Sequence, residues 1–177
     1  MVSGFVLSMR GLGRLLTVAL LLVAAAAPAS DSPALWRHQT KGEFDAVLNN
    51  LKSGLERAQF LISNEEDLAK GLENNRHLLG GDLRWNVIGF ERVTAVHFCS
   101  ILFNHEVFNA DLDWSVLCPF KVVAYKESPN VVHIVTVRPT YLMKDERSKQ
   151  MRELGAKVER RLVEAIKAGI ALEPPRE

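Results

Sequence analysis

Cys99 and Cys118 are the chain's two cysteines, and His97 and His133 sit in the apolar runs near them. Thiols at this separation allow three chemistries. A disulfide between them would close a loop of about 20 residues and contribute roughly 3 kcal/mol by restricting the unfolded chain. It requires Cβ atoms about 4 Å apart. Two buried, unpaired thiols would instead behave as small hydrophobes. The third possibility is a redox or ligand-binding pair, although without a Cys-x-x-Cys spacing nothing points to a thioredoxin-type centre.

The histidines add a metal reading. His97 and Cys99 fall on one side of an extended segment, with Thr94, Val96 and Phe98 on the other. Such a pair chelates soft metals if Cys118 or His133 supplies a third ligand. A histidine on a strand is more commonly hydrogen-bonded or half-exposed, so neither a metal nor another cofactor is assigned. Cys99 and Cys118 are the candidate disulfide or redox pair. His97, Phe98, Pro119 and His133 are the candidate ligand-binding residues. No nucleophile elbow, phosphate loop or metalloprotease motif is present, and no catalytic residue is assigned. His105, beside Glu106, reads as part of a solvated helix face. The aromatic residues Trp85, Phe90, Phe98, Phe103, Phe108 and Trp114 suit a core better than a pocket lining.

These residues need elements to place them, and the N-terminus must first be set apart. Arg10 and Arg14 precede a mostly apolar run of 13 residues, Leu15 to Ala27, followed by Ala27-Pro28-Ala29. That order is the pattern of a secretory signal peptide. The run is short against the roughly 20 residues of a membrane-spanning helix. Residues 1–29 are therefore expected to be a cleaved signal, with an uncleaved anchor as the alternative. A soluble periplasmic or secreted protein of 148 residues would remain, enough for one domain with its own core. Loss of the two arginines leaves 20 basic against 21 acidic residues, a formal charge of −1. So small a charge, with scattered basic residues, excludes nucleic acid as a partner. Membrane contact would be limited to the signal segment if it stays uncleaved. Export also favours pairing of the two thiols.

Leu35 to Thr40 alternates as a first strand. Thr40 and Glu43 have capping-box spacing, and Phe44, Val47, Leu48, Leu51, Leu55 and Ala58 form the stripe of an amphipathic helix. A short strand follows over Phe60 to Ile62. Ser63 and Glu66 repeat the capping spacing, predicting a helix to about Gly71. Asn74 to Asp82 is turn-rich, and Arg84 to Cys99 is extended, most clearly over Arg92 to Cys99. Ser100 to Ala110 reads as a helix, and Val116 to Lys126 with Val131 to Arg138 as strands joined by a Pro129-Asn130 turn. Asp145 to Ala168 reads as a long final helix ended by Gly169. The expected fold is therefore α+β, a two-layer domain with helices packed on a mainly antiparallel sheet, in the order β-α-β-α-β-α-β-β-α. It should occupy residues 30–170, with a frayed tail over 171–177.

Several short features, in order, resemble the domain of unknown function family 302. They are Phe98-Cys99, the helix Ile101 to Asn109, Ala110-Asp111, Cys118-Pro119 and Tyr125-Lys126-Glu127. The opening strand and helix, Leu35 to Ala58, are similar as well. Two departures stand out: Ser100-Ile101 where the family often has asparagine-proline, and Cys118-Pro119 where it has proline-cysteine. The resemblance implies a compact α+β domain able to form a homodimer, and it implies no reaction. The expected function is that of an exported, non-catalytic domain binding a small ligand or a protein partner, in a groove beside Cys99, Cys118 and the helix between them. The alternative is a thiol redox or sulfur-handling protein using Cys99, Cys118 or both.

Overall fold

The computed structural model describes residues 32–80 and 86–172. The expected signal peptide, together with Arg84, Trp85 and the last five residues, lies outside them. Five strands form one sheet in the order β1-β5-β4-β3-β2. They are β1 (Leu35–Lys41), β2 (Phe60–Asp67), β3 (Arg92–Ser100), β4 (Phe120–Ser128) and β5 (Val131–Val137), and every neighbouring pair is antiparallel. The helices are α1 (Phe44–Arg57), α2 (Leu68–Asn74), α3 (Ile101–Ala110), α4 (Pro139–Leu142) and α5 (Lys149–Ile170).

Alternation along the strands sends one set of side chains toward the helices. Phe60, Val96, Phe98, Phe120, Val122, Ala124, Val132 and Ile134 join the inner stripes of α1 and α5 in a single core. Phe44, Val47, Leu48, Leu51 and Leu55 come from α1; Met151, Leu154, Val158, Leu162, Ala165 and Ile166 come from α5. The fold is the expected two-layer α+β domain, with one sheet face under helices.

Four local expectations are corrected. Thr40 does not cap α1, because β1 runs on to Lys41 and pairs Thr40 with Val132. Glu43 takes the N-cap position without a side-chain bond. Ser63 does not open a helix either. The β2–β3 register shifts between Ile62 and Asn64, and the Ser63 hydroxyl donates to the His97 carbonyl at 3.3 Å. The strand continues to Asp67, whose carboxylate caps α2 by accepting from the Lys70 amide at 2.9 Å.

The third correction concerns Val116 to Pro119, which precede the strand instead of starting it. Leu112–Leu117 form a 3-10 turn, a cis peptide joins Cys118 to Pro119, and β4 begins at Phe120. The fourth concerns Gly169, which sits inside α5; the C-cap is Ala171. Gly169 is there for close approach. A Cβ on it would lie 2.5 Å from the Asn50 carbonyl oxygen, and one on Gly54 would lie 2.4 Å from that of Ala165. Leu172, expected in the tail, is held onto α1: the Asn50 side-chain amide donates to its carbonyl at 3.0 Å. Among the described residues no helix is long and apolar enough to cross a membrane.

Candidate functional site

The connection from β3 to β4 gathers most of the chemistry read from the sequence. The two strands are neighbours, and the last pair of their ladder is Phe98 with Phe120. One residue beyond Phe98 and two before Phe120, Cys99 and Cys118 meet with Cα atoms 5.3 Å apart and form a disulfide. That distance lies within the range a disulfide spans. With both sulfurs bonded to each other, neither is a thiolate available to a metal. Among the described residues no three His, Cys, Asp or Glu side chains converge as a metal-binding group.

Inside the stapled loop, the Ser100 hydroxyl caps α3 by accepting from the Phe103 amide at 3.2 Å. Phe103 and Val107 point into the core, where Phe103 meets Phe120 edge-on at 5.0 Å. Asn104 donates its amide to Cys118 Sγ at 3.4 Å, while its Oδ1 is buried without a partner. Trp114 Nε1 donates to Glu146 Oε2 at 3.0 Å, tying the 3-10 turn to the segment before α5. The Ser148 amide and the Trp114 indole both donate to Glu146 and hold its carboxyl below its ordinary pKa.

The four candidate ligand-binding residues are not brought together. Phe98 is fully buried between Phe60 and Phe120, so it belongs to the core and lines no surface. His97 lies on the sheet face opposite the core that Val96 and Phe98 enter, its Nε2 3.5 Å from Glu66 Oε2. His133 is on the same face, stacked on Tyr125 with ring centroids 4.6 Å apart and close to Gln39. His97 pairs with Lys121 and His133 with Tyr125, so they flank β4 from opposite sides at positions four residues apart. Burial, then the nearby Glu127 carboxylate, pushes the Tyr125 phenol up, and Arg37 opposes both. Pro119 is exposed and lines a small depression of about 170 Å³ with Val116, Thr136 and Leu142.

A larger groove, about 670 Å³, opens where α1 ends, β2 begins and α3 starts. Leu61, Ile101 and Leu102 give it apolar lining; Glu56, Gln59, His105 and Arg161 give it polar lining. Leu61 pairs with Cys99 across the β2–β3 ladder, so the groove begins beside the disulfide. Leu61 and Ile101 are 56% and 57% exposed. Strand alternation turns Leu61 away from the core that Phe60 enters, and contiguous exposed apolar side chains commonly mark a binding surface. Gln59, at φ +62°, makes the tight turn from α1 into β2 that leaves Leu61 facing outward. His105, read as merely solvated, is one of the lining residues.

Sequence reading expected a groove beside the cysteines and the helix between them but did not name its lining, because the walls come from residues 56–61, 101–105 and 161. One signal was legible. Helix α3 carries Phe103 and Val107 toward the core, yet also Ile101 and Phe108 on other faces, so it has more apolar side chains than one buried face can hold.

A five-stranded antiparallel sheet with helices on one face, and a stapled helical excursion between two central strands, defines a class of small two-layer α+β domains. Residues 36–169 match the family described as Domain of unknown function DUF302, and the chain belongs to that family. Its fold is similar to that of an uncharacterized conserved DUF302 protein from Bacillus stearothermophilus, known from a crystal structure. The TM-score is 0.66 at 17% identity, covering 77% of this chain and 98% of that one. No functionally curated protein matches.

Proposed function

We propose that this protein is an exported, non-catalytic binding domain whose ligand site is the groove at the start of α3. The observation that carries the reading is the pair of exposed apolar side chains, Leu61 and Ile101, lining a groove of about 670 Å³. Small-molecule sites commonly measure 300–1,000 Å³ and combine apolar lining with a few polar groups. Export rests on the order of charged, apolar and small residues in the first 29 positions. An NMR titration of the labelled protein with a small-molecule fragment set tests the groove. Shifts that saturate at Leu61, Ile101, Leu102 and His105 are expected; scattered or absent shifts overturn the site. N-terminal sequencing of protein recovered from a bacterial periplasmic fraction tests export, with Ser30 expected as the first residue.

A second reading has its own observation. The Asn104 amide on Cys118 Sγ is placed to stabilise a thiolate there once the disulfide is reduced. An external dithiol would donate two electrons, leaving Cys99 and Cys118 as thiols and itself becoming a disulfide. Thiol counting after equilibration with a dithiol–disulfide buffer tests this. Reduction only under conditions that unfold the protein would make the bond structural and remove the redox reading.

A further inference from the structure

The charge in the groove carries its reading further, toward a ligand class. Arg161 reaches the groove from the middle of α5 and is fixed there, because its Nη2 donates to the Ala58 carbonyl at 2.9 Å. Its guanidinium carbon lies 6.0 Å from the centre of the Phe60 ring. A guanidinium offers five N–H donors in a planar fork suited to a carboxylate. Among the described residues Arg161 has no carboxylate within ion-pair distance. Glu56 lines the same groove and Glu164 shares a shallower depression with Arg161 on its other side, yet neither pairs with it. The protein thus holds a half-buried cation in place and leaves most of its donors unused, beside three apolar side chains.

We propose that the groove takes a single-chain amphiphile ending in one carboxylate, its head on Arg161 and its tail along Leu61, Ile101 and Leu102. The proposal rests on the reading of the groove as the binding site. Glu56 adds a negative charge to the same groove, which favours a head with one carboxylate over a polyanion. An uncharged head would leave the guanidinium unanswered, and a cationic head would meet Arg161 directly.

The test uses the labelled full chain and three ten-carbon probes below their micelle concentrations: decanoate, decanol and decylammonium. The backbone amides of Leu61, Ile101, Leu102 and His105 are followed, so any amphiphile taken up by the apolar N-terminal run is read separately. Decanoate should saturate these shifts with an affinity about tenfold above that of decanol, the factor expected from one charge-assisted contact. Decylammonium should be the weakest of the three. Arg161→Gln should remove the advantage of decanoate, bringing its affinity down to that of decanol for the same variant. Because Arg161 also holds the Ala58 carbonyl, Ile101→Ser provides a second variant at an exposed position, and it should weaken both probes together.

Equal affinity for decanoate and decanol, or preference for decylammonium, would overturn the carboxylate assignment while leaving the groove as a binding site. Groove shifts with none of the probes, against shifts from other fragments, would reject the amphiphile alone. Groove shifts with no small molecule at all would overturn both readings.

Discussion

The α1–α5 seam and the β3–β4 excursion solve the same problem, holding helices onto a sheet, by opposite means. In the seam each helix has one apolar stripe and all of it is buried, with Gly54 and Gly169 letting the backbones nearly touch. Packing dominates there, with the Asn50–Leu172 and Arg161–Ala58 hydrogen bonds added to it. The excursion spreads apolar side chains around α3 and the following 3-10 turn, burying Phe103 and Val107 but leaving Ile101 and Phe108 in solvent. It is held by a disulfide, a serine cap and the Trp114–Glu146 hydrogen bond. A segment with surplus apolar surface cannot rely on burial for its position, and that surplus lines the groove.

The sharpest way to break the comparison is to fill the seam. Gly→Ala in an open helix gains up to about 1 kcal/mol from propensity. Here Gly54→Ala places a Cβ against the backbone of α5, and a loss of about 3 kcal/mol is expected in urea unfolding, with Gly54→Leu worse. Next comes the staple. Cys99→Ser with Cys118→Ser should cost about 3 kcal/mol. Hydrogen exchange should rise mainly over residues 101–117, leaving the seam protected. Uniform loss of protection would show that the excursion is part of the main cooperative unit.

Glu159 ties α4 to α5 and sharpens the picture of the helix layer. It is buried and accepts from Arg138 Nε at 2.8 Å, from the Thr140 amide at 2.9 Å and from the Thr140 hydroxyl. Burial alone would raise its pKa, but the bonds from Thr140 and then Arg138 outweigh it and hold the carboxyl below the ordinary value. A lowered folded pKa means its stabilisation is complete above the unfolded carboxylate value and is lost as the pH falls through the folded one. Glu159→Gln should therefore cost about 2 kcal/mol at neutral pH, discounted for the exposed Arg138, and flatten the acid limb of a stability–pH curve. An unchanged acid limb would mean that Glu159 gains as little from folding as a surface carboxylate.

Two smaller effects complete the series. Trp114→Phe keeps an aromatic side chain, a smaller one, but removes the indole N–H and its bond to Glu146, and about 1 kcal/mol should be lost, with faster exchange confined to the 3-10 turn. Ile101→Ser, at an exposed site, should change stability by no more than about 0.5 kcal/mol while weakening any groove ligand. A larger loss would mean that the side chain contributes to the core and that the contrast between seam and excursion is overdrawn.

The long stripes of α1 and α5 and the alternation in β3 and β5 were legible because each records burial on one face of one element. The fold class followed from them, as did the family resemblance carried by Phe98-Cys99 through Tyr125-Lys126-Glu127. Helix ends were less legible. Thr40 and Ser63 have cap spacing, but sheet pairing claimed both positions, and Gly169 looked like a stop until α1 was seen against it. Of the candidate site residues, sequence proximity misled most for Phe98, since a one-residue step along a strand changes the face.

The sequence by itself thus determined the main helices and strands, how many layers they form, and that two thiols lie at the ends of one excursion. Periodicity and local chemistry are properties of neighbours along the chain. Only the tertiary structure decided that Cys99 meets Cys118, that His97 and His133 stay apart, and that Glu56, Leu61, Ile101 and Arg161 share a groove. Those are distances between residues remote in sequence, set by the register of β3 on β2 and β4 and by the close crossing of α1 and α5.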